Sequence, residues 1–543
     1  MGNFQAIGVD LGTTFSAIAH LEEDGKSVML RNGEGELLTP SVVLFDDTQI
    51  TVGSVAKRVA PTEFDRVAVC AKRDMGQKFY SKEINGQQIP PGVIQACILR
   101  KLRRDAELQV RGKLQAVITV PAYFDEPRRK ATYDAGVMAG WDVLDIVNEP
   151  TAAALAFGEQ LEYLRSDGAP RETMNVLVYD LGGGTFDATV IRLDPGEIRT
   201  LATDGDVQLG GRDWDERLAK RVAEVFYSEH LIDLRQHPSS WTQLLARCEG
   251  AKHTLSQRMK VKIHVEHGGV SSDVEITRDE FMLMTEDLLE RTAFTTRQVL
   301  KAAELEWKDI SRLLLVGGST RMPMVSEKLS GLSGLSPERA TNPDEAVARG
   351  AALFAGYLLA KSEASEAADG TAEDGSLAAV SVVDVNAHSL GIQGISQRDQ
   401  NRVNRILIPR NTSLPASATR KFVTQTDGQK TIVIQVLEGE SRDPEQCTAI
   451  GRSVLRDLPA KLPQGYPVEV CFEYGTNGRL NVVASVPGTG RKLNIDLERE
   501  TGMTDERLHR WRQLFMKSSG QGPEFEELLD EVLDLLEDEP PAE

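Results

Sequence analysis

The chain has 543 residues and a formal net charge of −20, and 41% of its residues are hydrophobic and 27% charged. A chain of this length exceeds what one hydrophobic core organises, so several domains are expected. The acidic balance argues against a general nucleic-acid surface. No secretory signal opens the sequence, and no apolar run reaches the roughly 18 residues that a membrane span needs. We therefore predict a cytoplasmic protein with no nucleic-acid or membrane partner.

The cysteines are spread along the sequence without a Cys-x-x-Cys spacing. Such scattered cysteines are typical of reduced thiols rather than of a disulfide framework or a zinc site. The residues concerned are Cys70, Cys97, Cys248, Cys447 and Cys471.

The first motif lies close to the N-terminus. Residues 7–10 predict a buried strand that ends at Asp10. Gly12, Thr13 and Thr14 follow the strand, and residues 17–21 predict a returning strand. A glycine turn brings the backbone close to a ligand, and its free N–H groups can form a nest for a phosphate. An acid at the strand end can hold a hydrated divalent cation.

The second motif repeats this pattern far along the chain. Residues 176–179 predict a buried strand that ends at Asp180. Three glycines (182–184) and Thr185 come after it, and residues 188–193 predict a returning strand. Neither turn leads into a helix or carries Gly-Lys-Ser/Thr, so neither is a Walker loop. The pair predicts a duplicated domain with two facing phosphate-binding turns. The alternative is two ordinary glycine-containing hairpins.

These turns resemble the phosphate loops of the actin, sugar-kinase and heat-shock ATPase superfamily. More narrowly, the chain resembles the 70-kilodalton heat-shock chaperones of the DnaK type. Matching segments occur in the family's order at 120–124, 148–154, 209–215, 316–321 and 342–348. The resemblance implies an α/β fold, in which an actin-like two-lobed duplicated ATPase domain (1–360) precedes a linker (361–385), a β-sandwich substrate-binding domain (386–498) and a short helical tail (499–543).

The resemblance also implies a site for ATP or ADP with Mg²⁺, and it leaves K⁺ open. Asp10 and Asp180 would hold the metal. The catalytic candidates are Lys72, Glu149, Asp180, Thr185 and Asp187. The residues that the family would use to hold the nucleotide are Gly12, Thr13, Thr14, Gly182, Gly183, Gly184, Glu249, Lys252, Ser256, Gly317, Gly318, Ser319, Arg321 and Asp344.

Two features of this set come from the residues themselves. Glu249, Lys252 and Ser256 recur at helical spacing and so share one helix face. Lys72 is a positive charge that could offset charge developing during phosphoryl transfer, and no single general base can be assigned among the acids. His253 stands where the family usually has arginine, which predicts weaker nucleotide binding.

An interdomain switch is implied by position in the family. Pro121 and Arg129 would report the nucleotide state to the outer face, although Pro121 could simply end a strand. Residues 362–376 contain no large apolar residue and are expected to be disordered. Residues 380–385 match the family's docking linker and include Asp384, or they form the first strand of the next domain.

Residues 386–497 alternate like short strands, which we place at 389–395, 419–426, 431–437, 468–474 and 480–486. From their pattern, the apolar residues of these strands are most simply core. The family resemblance instead assigns them to a cleft for an extended peptide. The cleft positions are Ile392, Ile395, Phe422, Gln425, Ile432 and Ile434. Gln425 replaces the small residue that commonly arches over the peptide.

The tail predicts two helices. Thr504 would cap the first, whose apolar side carries Leu508, Trp511, Leu514 and Phe515, and the second would begin near Pro523. It is shorter than the helical lid of the family, so we expect fast peptide release.

The leading interpretation is an ATP-hydrolysing chaperone for unfolded, extended polypeptide segments, served by a J-domain co-chaperone and a nucleotide exchange factor. A first rival is a weakly hydrolysing or non-enzymatic binding or exchange partner of another chaperone. A second rival, a sugar kinase, shares the phosphate loops but does not account for the β-domain.

Overall fold

The computed structural model describes residues 4–46, 49–163, 172–339, 342–366, 381–396, 401–456, 458, 462–476, 478–487, 491–495 and 508–513. The predictions for Thr504, Leu514, Phe515 and the second tail helix lie outside these residues. Among the helices that are described, none is long and apolar enough to cross a membrane.

The first domain alternates strands and helices, as its sequence pattern predicts. Its strands are β1 (Phe4–Asp10), β2 (Phe15–Leu21), β3 (Ser27–Leu30), β4 (Leu38–Pro40), β5 (Val42–Phe45), β6 (Ile50–Val52), β7 (Val67–Val69), β8 (Lys113–Val120), β9 (Asp142–Asn148), β10 (Met174–Leu181), β11 (Phe186–Asp194), β12 (Glu197–Asp206), β13 (Lys260–His267), β14 (Val270–Thr277), β15 (Arg312–Val316) and β16 (Glu338–Arg339).

The helices of this domain pack on its sheets. They are α1 (Ser54–Val59), α2 (Pro91–Glu107), α3 (Glu126–Met138), α4 (Glu149–Gln160), α5 (Gly211–His230), α6 (Pro238–Gln257), α7 (Arg278–Met284), α8 (Glu286–Ala302), α9 (Pro323–Ser333) and α10 (Ala346–Glu366). Short 3₁₀ turns occupy Ala71–Asp74 and Gly318–Arg321, and both border the site described below.

Two sheets with the same plan form two lobes. In the first, the order is β3-β2-β1-β8-β9, and in the second it is β16-β15-β10-β11-β12. In each lobe a hairpin (β1–β2 or β10–β11) is antiparallel, and its first strand pairs in parallel with β8 or β15. The predicted duplication is therefore confirmed. It places the two glycine turns at equivalent ends of the two sheets.

The linker departs in part from its prediction. Helix α10 continues to Glu366, past residue 360, so the expected disorder of 362–376 is wrong for residues 362–366. Their Ser, Glu and Ala residues carry no helix breaker, and the apolar body of α10 packs against α4 and β1 and sustains the helix. Strand β17 (Ser381–Val383) then pairs in parallel with β12, at the edge of the second lobe.

The second domain is a β-sandwich with two sheets, ordered β19-β18-β21-β22 and β20-β23-β24-β25. The bounds are β18 (Leu390–Ile395), β19 (Arg402–Ile408), β20 (Ala416–Val423), β21 (Ile432–Glu438), β22 (Thr448–Leu455), β23 (Pro467–Tyr474), β24 (Leu480–Val486) and β25 (Arg491–Ile495). Strands β19, β22 and β25 were not predicted. Charged residues interrupt their apolar alternation, and only pairing with neighbours defines them as strands.

The tail contributes a short helical segment, 508–513. Its Trp511 is 6% exposed and belongs to the hydrophobic core of the first lobe, where Leu508 also packs. This part of the tail therefore rests on the first domain rather than on the β-sandwich.

Candidate functional site: a cleft between the lobes and the domain junction

The two glycine turns meet at a cavity of about 730 Å³ between the lobes. The predicted site residues that line it are Asp10, Gly12, Thr13, Thr14, Lys72, Glu149, Asp180, Gly182, Gly183, Thr185, Glu249, Lys252, Ser256, Gly317, Gly318, Ser319, Arg321 and Asp344, together with His253. Of the predicted catalytic and nucleotide-binding residues, Gly184 and Asp187 do not line the cavity.

The contact between the turns explains their glycines. A Cβ on Gly183 would lie 1.9 Å from Thr14 Oγ1, and one on Gly184 would lie 2.5 Å from Thr13 Cγ2. Gly317 has φ 82°, a conformation that residues with side chains rarely adopt. The lobes can therefore approach this closely only with glycine at these positions.

Lys72 and Glu149 form a buried ion pair, with 2.5 Å between Nζ and Oε1. Lys72 comes from the 3₁₀ turn after β7, and Glu149 is the first residue of α4. Lys72 is 2% exposed. The side chains lie far apart in sequence, and the fold brings them to the point where the glycine turns face one another.

Three aspartates surround this pair: Asp180 and Asp187 are buried, and Asp10 is half-buried. Asp180 and Asp187 are directly opposite one another on β10 and β11, and Asp10 ends β1. Burial, followed by the charge of Glu149, raises the pKa of Asp10 and of Asp187 to about 7. The same two causes raise the pKa of Asp180 well above its usual value. Uncompensated carboxylates in this place repel one another, which favours a bound cation.

The donor set fits Mg²⁺. In the described part of the chain no group of three or more His, Cys, Asp or Glu side chains is close enough to hold a metal alone. Mg²⁺ keeps several waters and typically takes only one or two carboxylates together with substrate phosphates. Asp10 and Asp180, both on the cavity wall, supply such a pair.

Helix α6 presents its predicted face to the other end of the cavity. Lys252 donates to Asp215 Oδ2 at 2.8 Å and to the Gly211 carbonyl at 3.0 Å. Glu249 accepts from Lys57 Nζ at 2.9 Å. Burial, followed by the neighbouring Lys252, lowers the pKa of His253, which favours the uncharged ring where the family usually has a permanent cation.

Sequence reasoning missed two members of this wall. Lys57 lies in α1 and reaches α6 across the mouth of the cleft, and nothing local in its sequence marks it. Asp215 lies within the matched segment 209–215, so its position was available, but no role was assigned to it. On the remaining wall, Arg321 donates to Asp344 Oδ2 at 2.6 Å.

The linker, through Asp384, is hydrogen-bonded to the first domain beside the Lys72–Glu149 ion pair. Asp384 Oδ2 accepts from Asn148 Nδ2 at 2.7 Å and from Thr151 Oγ1 at 2.8 Å. Asn148 Oδ1 in turn accepts from the buried Arg129 guanidinium at 2.6 Å. Asn148 and Glu149 are consecutive residues, so the linker contact and the Lys72 pair share one backbone segment.

Further contacts join the domains, and no sequence signal pointed to them. Arg410 of the β-sandwich pairs with Asp204 at 3.0 Å, and Asn411 Oδ1 accepts from the Thr203 backbone N–H at 3.1 Å. His388 Nε2 lies 3.0 Å from the Tyr123 carbonyl oxygen. Pro121 is buried at the start of the same segment.

The predicted peptide positions divide by burial. Ile392 and Ile434 are 3% and 2% exposed and belong to the core of the sandwich, as predicted from the apolar pattern of their strands. Phe422 and Ile432 are half-buried, and Ile395 and Gln425 are exposed. Pairing between β18 and β21 is described for Leu390 to Ile392 only, although both strands continue beyond it.

The fold and the cleft define the class of protein. It has a duplicated domain whose two lobes enclose a cleft suited to a nucleotide, and a docked linker joins this domain to a β-sandwich. The model of the Hsp70 protein family matches residues 6–90 and 81–532. The chaperone protein DnaK from Halobacterium salinarum strain R1 is 39% identical over 519 residues, which is 94% of this chain and 77% of the relative. DnaK from strain NRC-1 matches equally. The chain belongs to the Hsp70 family of chaperones.

Proposed function

We propose that this chaperone hydrolyses ATP and uses the reaction to change its affinity for extended apolar segments of unfolded proteins. The observation that carries the proposal is the adjacency of Asn148 and Glu149. Glu149 holds Lys72 at the meeting point of the two glycine turns, and Asn148 holds the linker through Asp384. A shift of Glu149 caused by a change at the phosphates would therefore be passed through a single peptide bond to Asn148, which holds the linker.

The residues divide the chemistry among them. The backbone N–H groups of the two turns would cradle the phosphates, and Thr13, Thr14 and Thr185 offer hydroxyl donors. Lys72 would offset charge that develops on the transferred phosphoryl group, and Glu149 and Asp187 would orient the attacking water. Mg²⁺ held by Asp10 and Asp180 would neutralise phosphate charge. Glu249, Lys252, Ser256 and Arg321 would hold the nucleoside.

The β-sandwich supports peptide binding through its unpaired strand edges. Beyond Ile392 on β18, and before Val436 on β21, the two strands have no described pairing with each other. An extended segment could bond to such edges, while Ile395, Phe422 and Ile432 contact its side chains. Gln425 would border this cleft.

Coupling between the sites would pass through Asp384, Asn148 and Arg129. Because coupling of binding equilibria is reciprocal, a peptide that loosens the docked β-sandwich must also alter nucleotide binding. A J-domain co-chaperone and a nucleotide exchange factor are the partners that such a cycle would use.

The test is binding of a labelled, extended apolar peptide to the full chain with ATP and with ADP, alongside ATP turnover. Weaker, faster peptide binding in ATP than in ADP, together with turnover, is the expected result. Peptide binding that ignores the nucleotide would overturn the switch. Absence of both turnover and peptide binding would favour a non-enzymatic exchange partner, and phosphorylation of a small-molecule acceptor would favour a sugar kinase.

A further inference from the structure

Arg73 extends its side chain from the first lobe to the second. It directly follows Lys72 in the 3₁₀ turn Ala71–Asp74. Its Nε donates to the Gly184 carbonyl at 3.0 Å, and its Nη2 lies 2.5 Å from Asp213 Oδ2. The side chain is 12% exposed, so water reaches little of this contact. Charge-assisted hydrogen bonds of this kind are stronger than neutral ones, so the guanidinium holds its two partners in a fixed relation.

Each carbonyl of the second glycine turn (182–184) accepts a hydrogen bond. The carbonyls of Gly182 and Gly183 accept from backbone N–H groups at the start of α5, each at 2.9 Å. Both of these bonds lie within the second lobe. The carbonyl of Gly184 accepts from Arg73, which belongs to the first lobe. The third glycine is therefore the point at which the first lobe binds the backbone of this turn.

The N–H groups of the same turn are free for a ligand. Among the described residues, the backbone N–H groups of Gly183, Gly184 and Thr185 donate to no protein acceptor. A run of free N–H groups can bind a phosphate. The Gly184 carbonyl and the Thr185 N–H belong to one trans peptide, so they point in opposite directions. The bond from Arg73 to the carbonyl therefore fixes the direction of the Thr185 N–H.

One short turn of the first lobe carries two contacts of the site. Lys72 pairs with Glu149 where the two glycine turns meet, and the next residue, Arg73, binds Gly184. The position of the Lys72 charge relative to the second glycine turn therefore depends on the contact that Arg73 makes.

A second arginine crosses between the lobes in the opposite direction. Arg212, at the start of α5, has its Nη1 3.1 Å from Cys70 Sγ, and Cys70 immediately precedes the 3₁₀ turn. This contact does not involve Arg73. The lobes therefore keep a link beside the turn when Arg73 is replaced.

We propose that Arg73 is a positioning residue for ATP hydrolysis, which holds the second glycine turn in register with Lys72. The inference rests on the proposed hydrolysis and adds a residue to it. Without the guanidinium, the peptide between Gly184 and Thr185 loses its anchor, and one phosphate donor loses its fixed direction. The first glycine turn and the residues that would hold the nucleoside are unaffected. The loss therefore falls on the rate of hydrolysis more than on ATP affinity.

The experiment compares Arg73→Met with the parent full-length chain in single-turnover ATP hydrolysis and in ATP binding by calorimetry. We expect the rate to fall by about 10²-fold, the size of effect that a small misplacement of reacting groups produces, while ATP affinity changes by a few-fold at most. An affinity loss as large as the rate loss would make the role of Arg73 merely structural and overturn the inference. An unchanged rate would also overturn it and leave hydrolysis intact. A parent chain without turnover would overturn the proposed hydrolysis itself.

The role of Asp213 is tested in a double-mutant cycle. Asp213→Asn keeps an acceptor for the Gly210 N–H, which the aspartate binds at 2.8 Å, but it removes the charge that holds Arg73. It should lower the rate less than Arg73→Met does, and it should add little to that variant, because both changes act through one contact. Fully additive losses would contradict this route.

Two further variants guard the comparison. Arg73→Lys keeps a cation but lacks the planar fork, so it should restore part of the rate. It replaces Arg73→Met in the comparison if that variant has a much lower thermal midpoint. Arg217→Gln is the matched control, since it removes an arginine–aspartate pair of the same 2.5 Å length that lies within the second lobe. Its rate should equal that of the parent, and an equal loss in both variants would contradict a specific role for Arg73.

Discussion

The carboxylate of Glu438 accepts the backbone N–H of Glu126 at 2.8 Å. Glu126 is the first residue of α3, so a side chain of the β-sandwich accepts a free N–H group at the start of a helix of the first domain. Both residues are buried, at 4% and 1% exposed. Burial, followed by the charge of Asp125, raises the pKa of Glu438 well above its usual value. The docked junction therefore favours the protonated acid.

Docking of the β-sandwich should consequently depend on pH. Glu438 has a raised pKa when docked and regains an ordinary pKa near 4.3 when exposed, so the docked state binds more protons. Docking is then strongest below the ordinary pKa and weakens as pH rises through the raised one. Energy transfer between a dye on each domain, measured from pH 5 to pH 9, should report progressive undocking.

The variant that tests this assignment is Glu438→Gln, which keeps the acceptor oxygen and removes the titration. Its docking should be flatter with pH, whereas Glu445→Gln, an exposed acid of the same domain, should behave as the parent does. An unchanged pH profile in Glu438→Gln would assign the effect to another group. Asp125, Arg129 and Tyr474 face the same carboxylate and are the first to examine.

Asp384→Ala should uncouple the domains without disabling hydrolysis. The change removes two hydrogen bonds to a charged acceptor, each worth about 1.5–3 kcal/mol. We expect ATP to lose its effect on peptide affinity, while basal turnover stays within a few-fold of the parent. Ser381→Ala, at an exposed position of the same linker strand, is the control. Retention of the ATP effect would show that the other contacts between the domains, among them Arg410–Asp204, suffice for docking.

Lys72→Met should abolish turnover while leaving nucleotide bound. The lysine pairs with Glu149 and its charge acts on Asp10, Asp180 and Asp187, and loss of a preorganised charge of this kind typically lowers turnover by about 10²–10³-fold. Single-turnover hydrolysis and nucleotide affinity separate the two effects. Because removal of one partner of a buried pair can cost about 3–5 kcal/mol, the thermal midpoint must be measured too. Glu149→Gln, which keeps the shape of the site, should also slow turnover.

Gly184→Ala should weaken nucleotide binding. The added methyl group would lie 2.5 Å from Thr13 Cγ2, so the two phosphate turns must move apart. We expect a lower affinity for ATP and a lower thermal midpoint, measured by titration and by calorimetry. Gly331→Ala in α9 has nothing within 4 Å of the new methyl and should stabilise the chain by about 0.5–1 kcal/mol. Equal behaviour of the two variants would contradict the close contact between the turns.

Local pattern predicted a large part of the fold. The hairpins around Asp10 and Asp180, the strands at 480–486 and 468–474, and the helices around Glu249 were readable, because buried strands and helix faces have periods of their own. Strand β19 was not, because Arg402 and Arg405 interrupt its apolar alternation. The last turn of helix α10 was predicted to be disordered because it lacks apolar residues, and the packed helix before it sustains it.

Pairings across long sequence separations could not be predicted in the same way. The sequence identifies Lys72 and Glu149 as matches to a family, but only the folded structure shows that they form an ion pair. Lys57 meeting Glu249, and Glu438 accepting the first N–H of α3, have no local signature, because a contact between distant residues depends on the path of the whole chain. The burial of Ile392 and Ile434 is likewise set by the second sheet of the sandwich.

By itself, the sequence determined the duplicated glycine turns, the acids that precede them, the division into two domains and the family. These follow from residue types and spacings that act over a few neighbours. The tertiary structure alone decided that Asn148 joins Arg129 to the docked Asp384 and that Trp511 enters the core of the first lobe. These features arise when separate elements bury surface against one another, and that burial is a property of the packed chain rather than of any segment.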